Sequence, residues 1–331
     1  MKTSYLLVAC LAICALMTPV LAQDIPVQTL PKMSNLAFGW VSMSGVDPTL
    51  EMLTSFAPAS MALRDAGYRT GGEAVTGQFD YSGFLINENF QSAMTALGPG
   101  VLRICHYGYD SNTAAVPGIP LPGVLANTNG EAVELSYAQR VGTTILGLSV
   151  IPEDSSYIAL TGGGQPLVTG NSHTDYGARV GAIFQLPKNL RLGCDYSYQK
   201  DHSTTTMSPA ITGIPVPVTV EDRYLTRCLT LGASKKVLPR TQVYGAYQEI
   251  IATGGALGDK IGDQRWLGVQ QDLSNTFAIR VNYLEHGLNF STQWRSPIGM
   301  LNVAYTHNAL VNAKSMLGDG DAAFVSLAMA Y

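Results

Sequence analysis

The residue types that most often bind metals or attack substrates are present in this chain, but their spacing defines no site. Cys105, Cys194 and Cys228 show no metal-ligand spacing. The glycines from Gly162 to Gly164 lack the Lys-Ser/Thr pair of a phosphate-binding loop, and nothing assembles a Ser-His-Asp triad. We therefore predict no enzyme activity, no metal and no cofactor. The histidines are equally scattered along the chain: His106, His173, His202, His286 and His307.

Charged side chains instead recur at one position of a two-residue repeat. In residues 176–186, Val180 and Phe184 share an apolar register, whereas Arg179 falls on the opposite one. Successive side chains of a strand point to opposite faces, so such a segment has one apolar and one polar face. An arginine facing lipid costs about 2–4 kcal/mol at the bilayer midplane, so we expect the polar faces to line an interior. The predicted lumen-lining residues are Arg179, Arg191, Asp195, Arg280 and Arg295.

The composition is unusual for a soluble protein. Charged residues make up 13% of the chain, against about 25% in typical soluble domains. The net charge is −4 with no basic run, so we expect no nucleic-acid partner. After residue 22, no apolar run reaches the roughly 20 residues of a membrane helix. Two solutions remain open, a very apolar secreted β-protein and a transmembrane β-barrel whose lipid-facing half is apolar.

The first 22 residues have the features of a secretory signal peptide. Lys2 supplies the positive charge, residues 6–20 are apolar, and Val20-Leu21-Ala22 is a small-residue cleavage site. An amino-terminal membrane helix is the alternative, but the apolar run is not followed by stop-transfer charges. We predict three parts: a signal peptide (1–22), a plug or periplasmic segment (23–76) and an outer-membrane barrel (77–331).

The strand count and the loop lengths both favour a barrel over a soluble sandwich. Thirteen strand candidates follow residue 77, and because bacterial barrels have an even number, we expect about fourteen strands in an all-β antiparallel fold. The additional strand is predicted at 36–41 or 155–161. The tight turns 187–189, 238–240, 274–275 and 296–299 alternate with long connections at 201–222, 253–263 and 311–321, and the short link 285–287 is the one exception. Outer-membrane barrels sort their loops in this way, with short turns in the periplasm.

The last predicted strand alternates Val325, Leu327, Met329 and Tyr331 with small residues. This ending resembles the signal that the outer-membrane barrel assembly machinery reads, because it offers a strand edge for pairing before the barrel closes. An ordinary last strand is the alternative. We predict an outer-membrane protein of a Gram-negative-type envelope that contacts membrane lipids and the assembly machinery.

Two predicted external loops repeat the pattern Gly-Ile-Pro-apolar-Pro, at residues 118–122 and 213–217. Proline stiffens an extended backbone and removes ladder donors, so these segments can present apolar side chains. Our hypothesis is a capture site for hydrophobic ligands at the external mouth. The alternative is that the loops only cap the barrel or pack on each other. The predicted ligand-binding residues are Ile119, Leu121, Ile214 and Val216.

Three segments resemble parts of known outer-membrane families. Ala57-Pro58-Ala59-Ser60 partly resembles the Asn-Pro-Ala-Gly plug motif of the long-chain fatty acid and hydrophobic-compound transporters, and residues 135–150 resemble their early barrel hairpin. Residues 266–283 are more similar to barrels that act as adaptors in secretion and surface attachment. The first resemblance implies a plugged fourteen-stranded barrel that takes up hydrophobic molecules passively and releases them sideways into the bilayer.

We therefore expect a monomeric outer-membrane barrel that moves fatty-acid-like hydrophobic small molecules. The first rival is an adaptor or structural surface protein, which would co-purify with a secreted partner. The second is a general porin, which would have an open polar channel and conduct ions. A transporter of this class would show a plugged lumen and a gap or kink in its wall.

Overall fold

The computed structural model describes residues 58–62, 71–81, 84–113, 124–150, 153–162, 165–209, 214–254, 260–284, 287–296, 299–307 and 320–330. The predicted signal peptide, most of the predicted plug and the candidate strand at 36–41 lie outside these ranges. Among the described residues, no helix is both long and apolar enough to cross a membrane.

The described chain consists of fifteen antiparallel strands and one 3-10 turn, Pro58–Ala62. The strands alternate apolar with small or polar residues, which is the pattern of a sheet with two different environments. Their bounds are β1 Gly71–Tyr81, β2 Phe84–Leu97, β3 Gly100–Thr113, β4 Val124–Val141, β5 Thr144–Val150, β6 Glu153–Gly162, β7 Gln165–Leu186, β8 Leu190–Met207, β9 Val218–Leu238, β10 Thr241–Gly254, β11 Lys260–Asp272, β12 Phe277–Leu284, β13 Gly287–Ser296, β14 Gly299–His307 and β15 Gly320–Ala330.

The strand pairings form a closed ring. Apart from β5 and β6, which both pair with β4 and β7, each strand pairs with its neighbours in sequence, and β1 pairs with β15, so the first and last strands close the wall. Each described strand is therefore paired on both sides, as backbone groups in a hydrocarbon environment require. The predicted all-β transmembrane barrel is confirmed.

Strands β5 and β6 occupy one place in this wall. Both are antiparallel to β4 and to β7, with β5 pairing toward one end of the barrel and β6 toward the other. The fifteen described strands therefore fill fourteen places, as expected. Two details of the prediction were wrong. The single strand predicted at 77–86 is a hairpin of β1 and β2, and much of the predicted loop 201–222 is strand.

The two faces of the wall have opposite chemistry. The outward positions carry exposed large apolar side chains around the whole ring, among them Ile104, Leu148, Val180, Leu267 and Val325. The inward positions carry buried polar side chains, so the alternation read in the sequence separates lipid-facing from interior residues. All five residues predicted to line the lumen lie at inward positions.

The two ends of the barrel also differ. At the end where β15 finishes, the turns are tight, and Lys188 and Asn189 between β7 and β8 adopt positive φ angles of 63° and 55°. Two consecutive residues at positive φ make the turn type that matches strand twist. The opposite end carries the longer connections and the extensions of β7 and β9, which are 22 and 21 residues long. A tilted membrane strand needs only about 9–11 residues. We call these the turn end and the loop end.

Candidate functional site

A cluster of buried charges lies on the inner face of the wall, centred on Glu134 of β4. Arg103 Nη2 on β3 lies 3.1 Å from Glu134 Oε1, and Arg179 Nη1 on β7 lies 3.6 Å from Glu134 Oε2. Arg179 Nε also lies 3.5 Å from Asp195 Oδ1 on β8. Two arginines and two acids therefore balance each other, which buried charges require because each is costly alone.

Three hydroxyl groups complete the surroundings of the Glu134 carboxylate. Ser136 Oγ and Ser149 Oγ donate to Oε1 at 2.6 and 2.8 Å, and Tyr107 Oη donates to Oε2 at 3.0 Å. Together with Arg103 and Arg179, these donors come from β3, β4, β5 and β7. Glu134 is thus the point at which four strands are tied together from the inside.

The 3-10 turn Pro58–Ala62 packs on the same inner face. Ala59 is buried with Ile145 of β5 and Ile183 of β7, and Arg140 donates a hydrogen bond to the Ala62 carbonyl at 3.2 Å. Gly147 makes this packing possible, because a Cβ there would overlap the backbone of Pro58 and Ala59. The described part of the predicted plug therefore lies inside the barrel.

The wall changes its pairing directly beside this cluster. On the β4 side the register is the same at Leu135–Val150 and at Ala132–Glu153, whereas on the β7 side it moves by one residue between Val150–Ala178 and Asp154–His173. The two residues between Val150 and Glu153 are Ile151 and Pro152, and a proline has no backbone N–H to give to a ladder. We call this place the β5–β6 junction. Register shifts in the β4–β6, β6–β7 and β7–β8 pairings surround it.

The interior is packed with polar side chains on both sides of the barrel. Arg103 and Glu134 have 1% of their surface exposed, and Gln248 of β10 and Gln293 of β13 have 0% and 1%. Side chains that line an open aqueous channel would be accessible to water. The described inner wall is therefore closed at these four positions.

A cavity of about 440 Å³ opens at the turn end. Its lining includes four cationic residues, Arg191, Lys236, Arg240 and Arg295, and one acidic residue, Asp272. Arg295 Nη2 lies 3.2 Å from Asp272 Oδ1. This cavity, which we call the basic basin, suits water and anions rather than an apolar molecule.

The five predicted lumen residues fall into two groups. Arg179 and Asp195 belong to the Glu134 cluster, whereas Arg191 and Arg295 line the basic basin. Arg280 connects to the basin through Gln270, whose Oε1 accepts from Arg280 Nε at 2.7 Å.

Sequence reasoning missed Arg103 and Glu134 as site residues, although both lie in predicted strands. Glu134 stands in the polar register between Val133 and Leu135, and Arg103 stands between Leu102 and Ile104. The alternation could have placed them inside the barrel. Their mutual contact depends on the register of β3 against β4, which a single sequence does not reveal.

The predicted capture residues are only partly described. Ile214 and Val216 lie between β8 and β9 at the loop end and are exposed. Ile119 and Leu121 lie outside the described residues. Among the predicted assembly-signal residues, Val325 and Leu327 point outward from β15 and Met329 lies within that strand, while Tyr331 is outside the described residues.

The structure brings together two histidines that are far apart in the sequence. His173 of β7 and His202 of β8 are register partners, and their ring centroids lie 5.1 Å apart. Asp175 joins them, so that one ligand atom from each of the three residues lies within 4.8 Å of the others. The prediction that the histidines lack ligand spacing considered the chain alone, whereas this proximity arises between strands.

Together, the fold and the inner site define an antiparallel membrane barrel whose described interior is polar and closed. The structure of a FadL homologue from Pseudomonas aeruginosa matches with a TM-score of 0.54 at 13% identity, over 89% of this chain and 97% of that chain. The toluene transporter TodX from Pseudomonas putida matches with a TM-score of 0.52 at 13% identity, over 89% and 95%. The toluene transporter TbuX from Ralstonia pickettii matches with a TM-score of 0.50 at 13% identity, over 83% and 91%.

The resemblance to hydrophobic-compound transporters is thus confirmed as a resemblance of fold. No protein-family model matches the sequence. No curated protein matches it either.

Proposed function

We propose that this protein is an outer-membrane channel for passive uptake of hydrophobic small molecules, such as fatty acids or aromatic hydrocarbons. Its fold is similar to those of two toluene transporters and a FadL homologue. The apolar outer surface supports a place in a lipid bilayer. The signal peptide, the plug formed by residues 23–76, a monomeric state and recognition by the assembly machinery belong to the same proposal.

The observation that carries the proposal is the β5–β6 junction. An apolar molecule inside the barrel faces a packed polar interior below it and the basic basin at the turn end, both unfavourable environments. The wall offers another way out at the β5–β6 junction, where the register against β7 shifts by one residue and Asp175 of β7 has no register partner on β8. Outward-facing Val133, Leu135 and Val150 are exposed beside this place. In this proposal, the molecule leaves sideways into the bilayer there.

Replacing Pro152 tests the exit. Pro152→Val supplies a backbone donor and a good strand former at the junction, so we expect a more firmly paired wall and lower uptake of toluene and of a long-chain fatty acid. Uptake is measured in cells of a Gram-negative host without its own channels of this class. The matched control is Pro166→Val, because Pro166 is also a strand proline and pairs with Thr161 of β6. Equal uptake by the two variants and the original protein would contradict a sideways exit.

Planar-bilayer recordings separate this function from that of a general porin. The buried polar interior predicts no steady conductance of potassium chloride by the purified protein. A stable open-channel current in every insertion would favour a porin and would count against the proposal.

The external loops supply the entry step in this proposal. Ile214 and Val216 are exposed at the loop end, where an apolar molecule would arrive. The double variant Ile119→Asp with Ile214→Asp is expected to reduce uptake of hydrophobic probes while leaving assembly intact. Unchanged uptake by a normally assembled variant would contradict the hypothesis that these loops capture the ligand, and it would not contradict the sideways exit.

A further inference from the structure

The cluster of His173, Asp175 and His202 lies on the outer face of β7 and β8. His202 stands between Asp201 and Ser203, which are both buried on the inner face, and His173 is its register partner. The adjacent Tyr176 and Tyr198 stack with their ring centroids 5.7 Å apart. The histidines lie on the loop-end side of these tyrosines, so the cluster is at the edge of the apolar belt.

An irregularity of β7 brings the carboxylate to the histidines. The β7–β8 register shifts between Thr174 and Tyr176, which leaves Asp175 without a partner on β8. Thr174 hydrogen-bonds to Asp201 on the inner side at 2.8 Å. A bulge of this kind redirects a side chain, and here Asp175 Oδ1 lies 3.3 Å from His173 Nε2.

The second histidine nitrogen is also available. Within the described part of the chain, His202 Nε2 is shielded from solvent and makes no hydrogen bond, and Glu221 Oε2 lies 3.8 Å from it. Lys200 Nζ lies 3.9 Å from Asp175 Oδ2, which leaves Oδ1 as the oxygen directed at the histidines. Two imidazole nitrogens and one carboxylate oxygen therefore converge.

We propose that His173, His202 and Asp175 form a binding site for a divalent transition-metal ion such as Zn²⁺ or Cu²⁺. Imidazole ligands select these ions over Ca²⁺ and Mg²⁺, which prefer sites made of oxygen alone. Two histidines and one carboxylate are an established ligand set for zinc with a remaining position for water. The ion joins β7 to β8 on the lipid-facing side, independently of the transport function.

Zinc titration of the purified full-length barrel tests the site. The protein is isolated in detergent through a tag without histidine, and binding of ZnCl₂ is followed by calorimetry. One Zn²⁺ per chain is expected. His173→Asn and His202→Asn are each expected to weaken binding by about tenfold or more, since even residues behind the ligands contribute about 10–100-fold.

The chain offers two matched controls, His106→Asn and His307→Asn. Each of these histidines pairs with a single carboxylate, Glu131 at 3.8 Å and Asp321 at 2.9 Å, and among the described residues neither belongs to a group of ligands with a second histidine. Both control variants are expected to bind Zn²⁺ like the original protein. Absence of Zn²⁺ binding, equal weakening in all four variants, or displacement of Zn²⁺ by equimolar Ca²⁺ would overturn the proposal.

Electron paramagnetic resonance with Cu²⁺ gives a readout of the ligands themselves. The original protein is expected to show coupling to two imidazole nitrogens, and each of the variants at positions 173 and 202 is expected to show one. Heat-dependent mobility in gel electrophoresis confirms that these variants are folded. Coupling to a single nitrogen in the folded original protein would contradict the proposed ligand set.

Discussion

The wall from β10 to β15 and the wall from β4 to β7 are built from similar sequence patterns but differ in regularity. Between β10 and β15, every strand pairs with the next without a register shift. Between β4 and β7, the ladders of β6 shift on both sides and one place in the wall is shared by two strands. The regular part closes the barrel, and the irregular part contains the β5–β6 junction.

The side-chain contacts on the inner faces of the two parts also differ. In the regular part, amides take part in the inner contacts, as in the hydrogen bonds from Asn282 to Asn289 at 2.8 Å and from Arg280 to Gln270 at 2.7 Å. In the irregular part, four buried charges surround Glu134, and the 3-10 turn packs beside them. Buried charges therefore tie the strands together from the inside in the part of the wall whose register is irregular.

Removing the central acid should have the largest effect. Glu134→Ala removes the buried ion pair with Arg103 and deprives three hydroxyls of their acceptor, so we expect a loss of about 3–5 kcal/mol in the free energy of unfolding. Unfolding in guanidinium chloride, followed by tryptophan fluorescence in detergent, measures the change.

The matched control lies on the same strand. Glu131 points outward with 78% of its side chain exposed, so Glu131→Ala should change the free energy of unfolding by no more than about 0.5 kcal/mol. A Glu134→Ala effect as small as that of Glu131→Ala would mean that the charge cluster does not support the irregular wall.

A side chain at Gly147 should have the next largest effect. The added Cβ of Gly147→Ala meets the backbone of Pro58 and Ala59, which cannot rotate away, so we expect a cost of about 1–3 kcal/mol and displacement of the 3-10 turn. Limited trypsin digestion should then cleave faster after Arg64. In the control, Gly108→Ala, the new Cβ finds its nearest neighbour 3.7 Å away, and cleavage should stay at the original rate.

The corresponding glycine of the regular wall should be more tolerant. In Gly268→Ala, the new Cβ meets the ring of Tyr244 and the amide of Asn282, which are ends of side chains that can move. Their mutual hydrogen bond would be lost, at a cost of about 0.5–1.5 kcal/mol. Denaturant unfolding measures the loss in the free energy of unfolding for both glycine variants. A larger loss for Gly268→Ala than for Gly147→Ala would contradict the expectation that the packing around Gly268 is the more adaptable.

The sequence predicted the barrel and its inward charges because a two-residue repeat encodes the two faces of a strand directly. For that reason, the sequence allowed Arg179 and Asp195 to be assigned to the inner face. It did not reveal Glu134 as the centre of their cluster, nor the meeting of His173 with His202, because both depend on register between strands. The division of 77–86 into two strands was missed because the two-residue connection between β1 and β2 interrupts no apolar pattern.

A disulfide across the irregular wall tests the sideways exit most directly. Glu131 of β4 pairs with Asp154 of β6, and a cysteine at each position would hold β6 against β4. Val281 and Phe290 are the matched outward-facing pair between β12 and β13 in the regular wall. We expect the oxidised 131–154 pair to stop uptake of toluene until a reductant is added, and the oxidised 281–290 pair to leave uptake unchanged. Full uptake through the oxidised 131–154 barrel would contradict the sideways exit.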